Sequence, residues 1–218
     1  MRPITAIDYV EFFGESLRDP ERARDLYSRA QAAQEPTAKI IMHQTARLVS
    51  LADWMSAAAP SRPALKIFFY VVLAEAVAKL ASAFTGKGES RRHVQEFFER
   101  YCSPESRAQL ERSFRRTRNG AQLFMSAPEA VDVLYNVRND VAHRGLYFTF
   151  NLLDPGLPAT ITPYEGESLE AHLSPEALRQ IVVLAAARAA ESHLAAGGCC
   201  RSRESEEIWT CRRRALRG

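Results

Sequence analysis

Across 218 residues, 29 lysines and arginines stand against 26 aspartates and glutamates, 46% of residues are hydrophobic, and the formal net charge is +3. From Cys199 onward six arginines and three glutamates account for all of that +3, so residues 1–198 sum to zero. This excludes a broadly basic nucleic-acid binder, and the longest apolar run, Ile67 to Ala74, is too short to span a bilayer. MRPITAIDYVEFFGES has acids where a signal peptide needs an apolar core, so a cytoplasmic location is expected.

The first 36 residues read as one or two short helices. Tyr9, Phe12, Phe13 and Leu17 fall on roughly one side, and Asp19-Pro20-Glu21 has the form of an N-cap, a helix-starting proline and a first-turn acid. The sequence leaves open whether this part packs on the body or on a partner. Ile41, Thr45, Leu48, Ala52 and Met55 recur at threes and fours, which predicts a helix over Thr37–Ala58 with His43 off the stripe and at the surface.

After Pro60 and Pro63, the stretch Arg62–Phe84 predicts the central core helix. Its expected apolar face is Leu65, Phe68, Phe69, Val72, Leu73, Ala76, Val77, Leu80 and Phe84. Glu75 and Lys79 are spaced for a helical ion pair. Gly86-Lys87-Gly88 ends the helix and lacks the strand and spacing of a phosphate-binding loop. Val94, Phe97, Phe98 and Tyr101 predict an amphipathic helix over Arg91–Tyr101, with His93 on the solvated side.

Ser103-Pro104-Glu105 starts the next helix. Arg112, Arg115, Arg116 and Arg118 read either as its solvated last turns, where cations suit the helix dipole, or as a local patch for RNA. Ser126 and Glu129 have capping-box spacing and open a further helix.

That helix carries the stretch AVDVLYNVRNDVAHRG, Ala130 to Gly145. At about 100° per residue, Ala130, Leu134, Val137 and Val141 form one apolar stripe, and Tyr135, Asn139 and His143 form a second. Arg138 lies between them, with a side chain long enough to swing toward Asn139 and His143. A guanidinium suits a phosphate, and an imidazole titrates near neutrality and can move protons. The same spacing also fits a solvated face with no chemistry.

Arg138-Asn139-Asp140-Val141-Ala142-His143, flanked by Leu134-Tyr135-Asn136-Val137 and Arg144-Gly145, resembles the signature of HEPN domains: an arginine, a polar residue, a few positions, then histidine on a late helix. The resemblance implies an all-helical, commonly dimeric fold. It also implies a metal-independent ribonuclease of toxin–antitoxin or defence systems, with Arg138, Asn139 and His143 meeting their copies at a dimer interface. RNA, a homodimer partner and an antitoxin-type protein are the implied partners, with no cofactor and no metal. The alternative is a non-catalytic HEPN-like scaffold that binds RNA or protein. Convergence of Arg138 and His143 in an open groove would favour the enzyme; either one locked in a buried salt bridge or helix cap would favour the scaffold.

Beyond the motif, Leu146–Leu152 and Ala159–Tyr164 predict a small β-hairpin around Asp154-Pro155-Gly156. Ser174-Pro175-Glu176 caps a last helix to about Ala196, and Gly197-Gly198 stops it. Four cysteines follow no CxxC or zinc spacing and are expected as free thiols. The expected fold is mainly α, a helical bundle of HEPN type with a small β-hairpin insertion before the last helix. It divides into an N-terminal helical extension (1–36), a HEPN-like domain (37–196) and a basic flexible tail (197–218).

Overall fold

The computed structural model describes residues 6–58, 62–146, 150, 159–161 and 167–199. Eight α-helices are seen among them: α1 (Ala6–Leu17), α2 (Pro20–Ala32), α3 (Thr37–Ala58), α4 (Pro63–Ala81), α5 (Ser90–Tyr101), α6 (Pro104–Ser113), α7 (Ala127–Asn139) and α8 (Pro175–Cys199). Four short strands form one antiparallel sheet in the order β2-β1-β4-β3: β1 (Phe114–Arg118), β2 (Ala121–Phe124), β3 (Ala159–Ile161) and β4 (Ser168–Ala171). The protein is mainly α with a small β element. None of the described helices is long and apolar enough to cross a membrane.

The helix starts follow local chemistry. The Asp19 carboxylate accepts from the Arg22 N–H at 3.0 Å, and the Ser103 hydroxyl accepts from the Ser106 N–H at 3.1 Å. At α7 the Glu129 carboxylate accepts from the Ser126 N–H at 2.8 Å, closing the capping box.

Helices α3, α4 and α8 pack together at the centre, with α5 and α7 against α4. On α3 the expected Ile41, Thr45 and Ala52 are fully buried, while Leu48 is partly so. Helix α4 is turned relative to the expected face. Ala64, Ile67, Tyr70, Val71, Ala74 and Ala78 are buried together with Leu73 and Val77, whereas Leu65, Phe68, Phe69, Val72, Ala76 and Leu80 are only partly buried. The helix is apolar nearly all round, so periodicity alone does not select its inner side. It also stops at Ala81, leaving Phe84 in the following turn.

Helices α1 and α2 pack on the body. Phe13, Ala23, Leu26 and Ala30 belong to the same buried cluster as α3, α4 and α8. The Arg22 guanidinium holds the Glu191 carboxylate of α8 through two hydrogen bonds of 2.9 Å.

Three local expectations are corrected. His93 is 2% exposed rather than solvated, because Phe84 folds back and sets its ring 4.5 Å from the imidazole. His43 is not a plain surface residue: its ring stacks on Tyr9 at 4.6 Å, and its Nε2 is buried. Burial and the charge of Lys39 hold its pKa below the usual histidine value.

The third concerns Arg115, Arg116 and Arg118, which lie on strand β1 rather than on a helix end; only Arg112 ends α6. β1 pairs with β2 across a two-residue turn, Asn119-Gly120, in which both residues have positive φ (52° and 78°). Of the expected hairpin after the motif, Ala159–Ile161 is a strand, but it pairs with Ser168–Ala171. Most of Leu146–Leu152 lies outside the described residues, as do residues 200–218 of the tail. Helix α8 continues through Gly197 and Gly198 to Cys199 instead of ending near Ala196. Cys102 is buried as a free thiol, and burial pushes its pKa up to about 12.

Candidate functional site

Helix α7 presents Ala130, Val131, Leu134 and Val137 to the core, all at most 7% exposed, with Tyr135 and Val141 partly buried beside them. The helix is fixed laterally by Asp132. Its carboxylate is gripped by Arg91 of α5, with 2.8 Å at the guanidinium Nε, and accepts from Gln95 at 2.7 Å. The hydrogen bonds from Arg91 come first in holding the Asp132 carboxyl below the usual range.

The motif side chains stand at the far end of this helix. The Arg138 side chain is 18% exposed and held from two directions. Its Nη1 donates to the Asn139 amide oxygen at 3.0 Å, and its Nη2 donates to Glu75 Oε2 at 3.1 Å. The guanidinium also lies 5.8 Å from the centre of the Tyr135 ring. Its Nε is buried and has no hydrogen-bond partner among the described residues.

Glu75 also belongs to this site, beyond the helical pair with Lys79 that its spacing favours over a catalytic role. Sequence spacing pairs it with Lys79, and that pair is present at 2.6 Å; but the same carboxylate also accepts from Ser90 at 2.7 Å and from Arg138. Burial works against its charged form. The hydrogen bonds from Lys79 and Ser90, with the charges of Lys79 and Arg138, more than offset that and hold its pKa below the ordinary glutamate value. The one sequence signal is the single acid of a largely apolar core helix, a position carboxylates occupy only when paired.

His143 is exposed and has no hydrogen-bond or ion-pair partner among the described residues. Regular α-helix ends at Asn139, and Asp140–Arg144 forms a single π-turn with none of its five residues buried. The Gly145 N–H donates back to the Asp140 carbonyl, with Gly145 in the left-handed region at φ 64°. The Leu146 N–H reaches the same carbonyl at 3.0 Å, and Arg144 pairs with Asp140 at 3.1 Å. All three motif residues therefore cluster at one helix end. Arg138 and Asn139 are directly joined, and His143 is exposed four positions beyond Asn139.

The arginines of β1 differ. Arg116 pairs with Glu129 at 3.4 Å and Arg118 with Glu167 at 3.2 Å, while Arg115 lies 4.8 Å over the exposed Phe124 ring. Two of the three cations on the strand are thus locally neutralised. Among the described residues no group of three or more histidines, cysteines or carboxylates is arranged to hold a metal ion. Comparison of the chain with protein-family models, with curated proteins and with solved structures finds no match.

Proposed function

We propose that this chain is a HEPN-type, metal-independent endoribonuclease acting as a homodimer in a toxin or defence role. The observation that carries the reading is a guanidinium oriented on both terminal nitrogens, followed five positions on by an exposed imidazole, at the end of a helix whose packing face is complete without either.

In the reaction, His143 takes the proton of a ribose 2′-hydroxyl. The 2′-oxygen attacks the adjacent phosphorus, the bond from phosphorus to the 5′-oxygen breaks, and the 5′-oxygen receives a proton. Arg138 offsets the charge that develops on the phosphorane oxygens. One chain brings one motif imidazole, whereas the step needs a base and an acid on opposite sides of the phosphate. A second copy related by a two-fold axis supplies the other.

The Arg138–Glu75 ion pair favours a second reading. A guanidinium 18% exposed and already holding a carboxylate 12% exposed suits a non-catalytic scaffold that binds RNA or an antitoxin-type protein. Both readings are tested by incubating the purified chain with RNA and with DNA, with and without chelator, and identifying the termini formed. The enzyme reading expects RNA products ending in a 2′,3′-cyclic phosphate, insensitive to chelation and abolished by His143→Ala. Cut DNA or chelator-sensitive cleavage overturns the mechanism. RNA bound but uncut, equally by wild type and His143→Ala, selects the scaffold.

A further inference from the structure

Arg138 and His143 are five positions apart, a spacing that a regular α-helix does not align. At about 100° per residue, five steps place the two side chains about 140° apart, with His143 beyond Asn139 as seen from Arg138. The chain does not continue as α-helix: the turn Asp140–Arg144 closes through the Gly145 N–H and the Asp140 carbonyl, five residues apart. That bond puts about one extra residue in the turn, roughly 4.4 per turn or about 82° per residue. Asn139 and Asp140 keep α dihedrals (φ −65° and −61°), so two α steps and three π steps leave His143 about 85° from Arg138, between Arg138 and Asn139.

We infer that the π-turn is a positioning device, which rotates His143 onto the Arg138 side of the helix and makes the five-residue spacing usable. Its role in catalysis rests on the reading proposed above; the alignment itself does not. Two observations argue that the turn serves placement rather than packing. None of its residues is fully buried, and Val141 alone among them packs against the core, so the wider geometry adds little to it. The residue that closes it, Gly145, would meet nothing within 4 Å if it carried a Cβ, so glycine is favoured there by its φ of 64° and not by lack of room. Gly145 is accordingly a positioning residue, acting through His143.

A metal-bridging test reads the alignment without RNA. Arg138→His places a second imidazole at the motif, and two imidazoles on one side of a helix chelate a divalent ion. This variant should bind Ni²⁺ at least ten-fold more tightly than Arg138→His combined with His143→Ala. Adding Gly145→Ala should remove that gain, whereas adding Gly145→Asn should keep it, because asparagine tolerates the left-handed region. No gain over the control, or a gain indifferent to Gly145→Ala, overturns the inference.

On RNA, Gly145→Ala alone should lower kcat at least ten-fold with KM within about two-fold, and Gly145→Asn should recover most of it. Deleting Ala142 brings the pair to four-residue spacing, which a plain α-helix aligns, and should also retain cleavage. Equal loss in Gly145→Ala, Gly145→Asn and the deletion overturns the positioning role. A chain that passes the Ni²⁺ test yet never cuts RNA disproves the enzyme reading and leaves the alignment standing.

Discussion

The end of α7 and strand β1 treat the guanidinium in opposite ways. At the end of α7 a single Arg138 is sunk to 18% exposure and held by groups from two helices, Asn139 on its own and Glu75 on α4. On β1 three arginines share one five-residue strand, but two meet acids at the surface and the third covers an exposed phenylalanine. Charge is denser on the strand, yet orientation is fixed on the helix. A cation whose direction is set before a ligand arrives loses less freedom on binding and stays aimed at developing charge.

The largest effect should come from the α7 end. His143→Ala should slow RNA cleavage by about 10²–10⁴-fold with binding nearly intact, while Arg138→Ala should reduce both. Replacing Arg115, Arg116 and Arg118 together by alanine should cost less than ten-fold under the same assay. If the triple variant is the more damaged one, the contrast between helix end and strand fails.

Next is Glu75→Gln, which leaves Lys79 and Arg138 facing a neutral amide. Losing the carboxylate should lower stability by about 1–3 kcal/mol, read from denaturant midpoints. Paired with Arg138→Gln, the loss should be less than the sum of the single losses, because the two share one interaction. Strict additivity would mean that the ion pair is incidental.

The pH dependence follows with its sign fixed. The pKa of Glu75 is lower folded than unfolded, so its contribution is complete above the unfolded value, about 4.3, and is lost as pH falls through the folded value. Glu75→Gln should flatten the acid limb of the stability profile and leave the neutral region parallel to wild type. An unchanged acid limb would show that Glu75 is not the group responsible.

The smallest effect should be on stability at the strand. Arg116→Ala and Arg118→Ala each remove a surface pair and should stay within about 0.5 kcal/mol of wild type.

Much of this contrast could be read from residue order. Asp19, Ser103 and Ser126 announced three helix starts because capping is local chemistry, and the stripe of Leu134 and Val137 gave the inner side of α7. The strand arginines fit a helix end in the sequence because the polar run Arg115–Asn119 follows a convincing helix. The signal that marks the strand is Asn119-Gly120, a two-residue turn whose positive φ values suit asparagine and glycine. The burial of His93 depends on Phe84 folding back from beyond a helix end, and the Glu75–Arg138 pair joins residues 63 positions apart. Neither leaves a periodic trace. The π-turn left only the five-residue spacing itself.

The bidentate bridge from Arg22 to Glu191 ties the beginning of the described chain to its last helix. With Phe13 and Leu26 in the same core as α3, α4 and α8, helices α1 and α2 melt with the rest or not at all. Amide protons on α1 and α2 should therefore exchange through the same global opening as those on α4. A recombinant fragment beginning at residue 37 would bare the alanine-rich flank of α8 to water, and its loss of solubility would be a defect of the cut, not a property of the bundle.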